Sequence, residues 1–498
     1  MIALALLLAA PPGDLQARLR HLEAMAAAWA PAPSPDGTRV AFLTTLFGSR
    51  QAASVAVEGS YPIQLTDESE GVGSVRYLPP EPREVVVALR EGRRRLLLVD
   101  DEGSAPIAID PAPGDQFLGG FTRDGKKIFY SVQDGSKVSL RTWAPDTRRS
   151  TEITPPPPAA GKQPAAGSLP LEEALAGLFS LGPPTSDGRA LLALVRRGAS
   201  EAVVLADLAA ARAEILVQGD PGARFRQPRF SPDGRTVYVL TDAGRQVLGV
   251  DSIAVQGHAR KTVYAPAQEV EAFALSDDGH RLAVALESNG QDVFALLDFP
   301  TLRVQPLAVP PAGALAEGGM AWDRSGERLF FGWQQADDTT DVWELRVGRG
   351  TPTRLTRSPR PGLGSGAIPR PKLVRAGEQP AWLWQPAGEG KAKLAVLISK
   401  QPIRPVFDKR ITALNFAGFA VLAVAGRGAE KAALSFMDSA AAVEGKAPLL
   451  LDPEGIGQEE KSRWSGVVTG PGKGGGLELD PERPDLHALV RYALKGGG

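Results

Sequence analysis

The chain has 498 residues, room for two to four domains at about 150 residues each, so a single small domain is excluded. Lys plus Arg number 56 and Asp plus Glu 57, a net charge of -1 that offers no broad field to nucleic acid or an anionic membrane. Cysteine is absent and only four histidines occur, which removes disulfides and thiolate chemistry; nothing in the sequence asks for a cofactor or a metal.

Residues Ile2 to Ala10 form an apolar run followed by Pro11, Pro12 and Gly13. The run is too short for a span of ~20 residues and matches the core of an export signal over 1–12, which predicts a periplasmic or secreted protein. No Lys or Arg precedes it, so a buried strand in a cytoplasmic chain is the other reading. Residues 13–30 are predicted as an N-terminal helix, and no other stretch reaches membrane length.

From residue 31 the chain repeats. Alternating apolar strands follow Ser34-Pro35-Asp36-Gly37, Asp124-Gly125, Asp187-Gly188, Ser231-Pro232-Asp233-Gly234, Asp278-Gly279 and Ser325-Gly326, and a seventh strand follows the proline-rich turn Pro79 to Pro82. Centred on 36, 82, 124, 187, 233, 278 and 325, the turns lie 46, 42, 63, 46, 45 and 47 residues apart. Such a period marks propeller blades, and each interval holds four strand-like segments. The repeated aspartates and glycines are turn formers, because Asp-Gly supplies the backbone angles a tight hairpin needs; the alternating ligands of a calcium loop are missing. The expectation is a seven-bladed β-propeller over 31–358 in a mainly β protein.

The long interval contains Thr151 to Gly167, rich in Pro and Ala and predicted to be an exposed insertion. Leu169 to Phe179 reads as a short helix carrying Glu172 and Glu173, a marginal candidate for holding a ligand amine, with a solvated helix face as the plainer reading.

A Pro/Gly-rich joint at Ser358 to Pro371 ends the repeat. Beyond it come a buried strand at Lys393 to Ser399, a helix over Phe407 to Phe416, a second strand at Gly418 to Ala425, a helix over Glu430 to Val443, a last strand near Pro448 to Leu451 and a closing helix Asp485 to Leu494. Lys461 to Leu477 reads as loop. Alternation of this kind predicts a parallel sheet covered by helices.

The SPDG turns, the strand ends Gln64-Leu65-Thr66 and Arg354-Leu355-Thr356, the strand Ala381 to Pro386 and GFAVLAVAGRG, ending at Arg427 and Gly428, together resemble the prolyl oligopeptidase family of serine peptidases. The propeller alone also resembles the TolB-type periplasmic propeller. The resemblance implies an α/β-hydrolase domain over 359–498, but the family's His-Gly-Gly-Pro turn is here Ser399, Lys400, Gln401 and Pro402, and no Gly-x-Ser-x-Gly elbow follows residue 390. Only 108 residues run from Lys391 to the end, short for a full hydrolase sheet, so a degenerate, truncated domain is expected. If a triad existed, Ser465, Asp480 and His487 are the residues left to form it. The function expected is a non-catalytic binding or scaffolding protein of the cell envelope that holds a peptide or protein partner. The alternatives are an active peptidase with atypical residues and a TolB-like assembly component.

Overall fold

The computed structural model describes residues 15–80, 83–102, 104–154, 167–364, 366–388, 392–426, 428–439, 448–454, 464–471, 473, 476–480 and 484–495. The export-signal expectation, most of the Pro/Ala-rich insertion, and Pro82 and Arg427 lie outside these.

Seven sheets of four consecutive antiparallel strands cover 28–64, 72–108, 115–152, 178–218, 225–264, 270–307 and 313–354, and the fourth carries a short fifth strand, Leu169–Pro170, on its outer edge. This is the seven-bladed propeller that the period implies. Pro79 and Pro80 lie in the turn between Val72–Leu78 and Arg83–Arg90 of the second blade. The six turn glycines all take φ between 68° and 73°, the left-handed region that a Cβ disfavours.

The turn aspartates fold the corner from inside. Asp233 accepts from Ser231 Oγ at 2.6 Å and Arg235 N at 3.1 Å, and Asp278 accepts from Ser276 Oγ at 2.5 Å and His280 N at 2.9 Å. In the seventh blade the pair is exchanged, with Ser325 Oγ donating to Asp323 at 2.7 Å, so the corner survives the loss of the Asp-Gly pair. The strand-ending threonines are equally structural, Thr66 Oγ1 taking Ala52 N and Thr356 Oγ1 taking Val342 N, both at 2.9 Å.

Each blade is one continuous segment, so packing closes the ring. Val40 and Phe42 of the first blade share a core with Phe330 and Val342 of the seventh. Ala28 N donates to Thr340 O at 2.9 Å and Arg328 Nη2 to Gly37 O at 2.7 Å across the seam.

The helix expected over 13–30 is shorter: α1 spans Leu15–Glu23, and Ala28 already starts the innermost strand of the first blade. The helix expected over Leu169 to Phe179 is also cut down, to the single turn α2 (Leu171–Ala174), because Leu178 begins an inner blade strand and Leu169–Pro170 joins the outer edge.

After the joint the chain builds a seven-stranded mixed sheet from β1 (Lys372–Ala376), β2 (Gln379–Trp384), β3 (Lys393–Ser399), β4 (Phe419–Ala425), β5 (Leu449–Asp452), β6 (Gly466–Thr469) and β7 (Leu477–Glu478), in the order β1-β2-β4-β3-β5-β6-β7. The first two run antiparallel and the other five are parallel. Helix α4 (Ala429–Ser439) covers one face, with α3 (Lys409–Phe416) and α5 (Leu486–Lys495) on the other. The loop read over Lys461 to Leu477 is corrected here: β6 and the start of β7 fall within it, each only two to four residues and held by ladder bonds from its neighbour. Among the described residues no helix is long and apolar enough to cross a membrane.

Candidate ligand-binding cleft

The α/β layer sits on the propeller face formed by the starts of the inner strands. Arg404 from the β3–α3 connection reaches Asp292 Oδ2 and Glu271 Oε1 of the sixth blade, both at 2.6 Å, and Phe407 N donates to Gln335 O of the seventh at 2.8 Å. Burial pushes the carboxyls of Asp292 and Glu271 up, and the Arg404 guanidinium opposes it. Helix α1 wedges between the two bodies: Leu19 and Leu22 pack with Ala413, Leu486 and Val490, and Arg18 lies 3.7 Å over the Phe416 ring.

Between the layers is a cavity of about 1610 Å³. Its propeller wall includes Trp29, Ser74, Arg76, Phe117, Ser180 and Glu317, and its roof Asp408, Lys409 and Arg410. Asp408 caps α3 by accepting from Arg410 N and Ile411 N; burial works against its charge, yet Arg410 and these amides hold its carboxyl low. Lys409 Nζ donates to Glu23 O at 3.0 Å and Met25 O at 2.9 Å, closing the end of α1, and burial lowers the proton affinity of its ammonium. Arg94 lies 4.8 Å over the Phe117 ring on the cavity wall.

The other feature stands where β3 and β5, the strands flanking the switch in chain direction, end together, the position at which open α/β sheets present ligands. Ser399 Oγ donates to Glu454 Oε1 at 2.8 Å, Lys400 N donates to the same oxygen at 3.1 Å, and Gln401 N returns to Ser399 Oγ at 3.1 Å. Glu454 was not singled out from the sequence, because its partners lie 55 residues earlier and no local pattern marks it.

Ser465, Asp480 and His487 are not brought together as a triad. Ser465 precedes β6 at the sheet's N-terminal edge, its amide bonded to Pro448 O at 2.8 Å, whereas His487 opens α5 toward the opposite edge and its Nε2 stands 3.6 Å from Glu23 Oε2. The length of β6 alone, about 13 Å, lies between the edges. Asp480 is exposed just beyond β7. Glu172 and Glu173 are exposed on α2, which packs on the outer edge of the fourth blade and lies outside the cavity lining.

The class this defines is a seven-bladed propeller with an α/β layer over one face. Solved structures share that shape. A prolyl endopeptidase matches with a TM-score of 0.69 at 14% identity, covering 92% of this chain and 74% of its own. A puromycin hydrolase matches at 0.70 and 14% identity over 96% and 83%, and a puromycin-hydrolyzing peptidase of Mycobacterium tuberculosis at 0.69 and 16% identity over 91% and 78%. At such identities the likeness is one of fold. No protein-family model matches the sequence, and no curated protein matches it.

Proposed function

We propose that the chain is a peptide-binding protein without hydrolytic activity, in which the α/β layer is a shortened hydrolase-like module and the inter-layer cavity is the binding site. The observation that carries this reading is the Glu454 carboxylate on the Ser399 hydroxyl and the Lys400 amide. Acyl transfer needs a nucleophile on a tight strand-to-helix turn and donors aimed at a developing oxyanion. Here the residue presented after β5 is a carboxylate, and it takes a backbone donor and repels new negative charge. Peptide is the favoured ligand class because the fold neighbours are named as peptidases and the cavity exceeds the roughly 300–1,000 Å³ of a small-molecule pocket. Export to the envelope belongs to the same reading, on the apolar run of Ile2 to Ala10.

Calorimetric titration with proline-containing peptides tests it. Saturable binding that is lost when Ser180→Trp fills the cavity wall, with peptide mass unchanged after incubation, is the expected result. Cleavage of the peptide, or binding indifferent to Ser180→Trp, contradicts it.

A further inference from the structure

One level of the propeller's central channel is almost stripped of side chains. The residue five places before each turn glycine is Ala32, Gly120, Pro183, Ala274 or Ala321 in five of the blades. In the fifth blade it is Arg229. The second blade lacks the Asp-Gly turn, but its register supplies the match: Arg76 faces Val85 as Ala32 faces Ala41 and Arg229 faces Tyr238. Val85 and Ala41 each point into the core shared with the following blade, so the two positions are equivalent.

Two arginines therefore reach into a ring of Ala, Gly and Pro from walls three blades apart in a circle of seven. Arg76 lines the inter-layer cavity, and its charge is felt at Arg229. Among the described residues neither guanidinium reaches a carboxylate; the partner of Arg229 is its neighbour's carbonyl, Pro228 O, at 3.2 Å. Arg76 keeps exposed surface and Arg229 is half-buried, with protein around both on the channel wall. Burial lowers the hold of Arg76 on its proton, and burial with repulsion from Arg76 brings Arg229 to about 10. A bulge between Arg226 and Arg229, with Gln227 at φ 51°, re-aims the strand at this point, and Gln227 Oε1 is anchored by Phe273 N at 3.2 Å.

Two guanidiniums that enter one channel and repel each other are stabilised by an anion between them, and two planar forks on opposite walls suit the two oxygens of a carboxylate. We infer that Arg76 and Arg229 form an anion site at the channel end of the cavity that takes a carboxylate of the bound peptide, from its free C-terminus or from an acidic side chain. The source of the carboxylate rests on the peptide-binding reading; the anion site itself does not.

The experiment has two arms. In the first, calorimetry compares one peptide as free acid, as C-terminal amide, and as amide carrying an added Asp. Charged hydrogen bonds of this kind are worth roughly tenfold or more in affinity, so the free acid or the Asp-bearing amide should bind at least about tenfold more tightly than the plain amide. Which of the two does so identifies the source. The preference should vanish in Arg76→Ala/Arg229→Ala and partly return in Arg76→Lys/Arg229→Lys. In the second arm, inorganic phosphate at millimolar concentration should raise the melting temperature of the natural chain, but not of the double alanine variant, beyond matched chloride. Removing two repelling cations leaves the core intact, so the variant folds. Equal binding of acid and both amides, a preference untouched by the alanine substitutions, or equal phosphate shifts in both proteins would overturn the site. If no peptide binds but phosphate discriminates, the peptide reading falls and the anion site stands.

Discussion

The propeller and the α/β layer build their cores by opposite routes. In the propeller the four strands of each blade pair in chain order, with Leu169–Pro170 alone joining out of sequence among the described residues, so each blade is a local product of one turn and two further hairpins. In the layer, β3 pairs with β4 on one side and with β5, some fifty residues on, on the other; the sheet closes only when distant segments meet. Local pairing costs less loop entropy than distant pairing, so the blades are the robust part and the layer's edge, β6 and β7, is the dependent part.

The largest expected effect lies in the propeller. Phe331, fully buried between the sixth and seventh blades and edge-on to Phe294 at 4.9 Å, should cost ~3–5 kcal/mol on Phe331→Ala in urea unfolding. If the two regions are one cooperative unit, amides of β3 to β5 lose protection equally; if they are separate, the loss stays in the blades. Next comes the joint between them. Arg404→Ala leaves Asp292, whose side chain has no exposure, charged and unpaired, at about 3–5 kcal/mol, and hydrogen exchange should rise first across the β3–α3 connection. Unchanged exchange there would mean that α1 and the Phe407–Gln335 hydrogen bond hold the layers without the ion pair.

Glu84 sharpens the comparison through pH. Burial, then the nearby Asp101 charge, raises its carboxyl from 4.5 to about 9. A raised folded value means that its contribution is fully present below pH 4.5 and is lost as pH rises to about 9, by up to about 1.4 kcal/mol per unit. Glu84→Gln should remove that slope from the unfolding free energy between pH 5 and pH 9. The turn aspartates act oppositely. Hydrogen bonds from Thr122, Thr185, Ser231 and Ser276 lower Asp124, Asp187, Asp233 and Asp278 below 3.8, so their contribution is present above that pH and is lost as pH falls through the lowered values. The smallest effects belong to the turn glycines. Gly234→Ala places a Cβ no nearer than 3.5 Å to Thr185 and should cost ~1–2 kcal/mol for its φ alone. Gly125→Ala drives a Cβ onto the Pro79 carbonyl and should cost more; equal values would mean that the second-blade turn yields.

What the sequence made legible follows the same division. The six Gly turns announce blades because φ near 70° demands that residue, and even the exchange of Asp323 and Ser325 leaves the motif readable. Strand β6, one in from the sheet's edge, was hidden because Val467 and Val468 between Gly466 and Gly470 are too few to show a period; the neighbouring strand makes them a strand. The cavity was legible only as a consequence of two bodies meeting. Glu454 and the Arg76–Arg229 pair were silent because each gains meaning from residues far away in the chain, although counting back five places from the turn glycines would have found Arg229.

The reading to be tested is that the protein binds without hydrolysing, with the Glu454 carboxylate, among the described residues, presented at the C-terminal edge of the sheet. Intact-mass analysis after exposure to a serine-directed phosphonate tests it most directly. The natural chain should keep its mass unchanged. One covalent adduct per molecule, lost on Ser465→Ala or on His487→Ala, would contradict it and restore the peptidase reading.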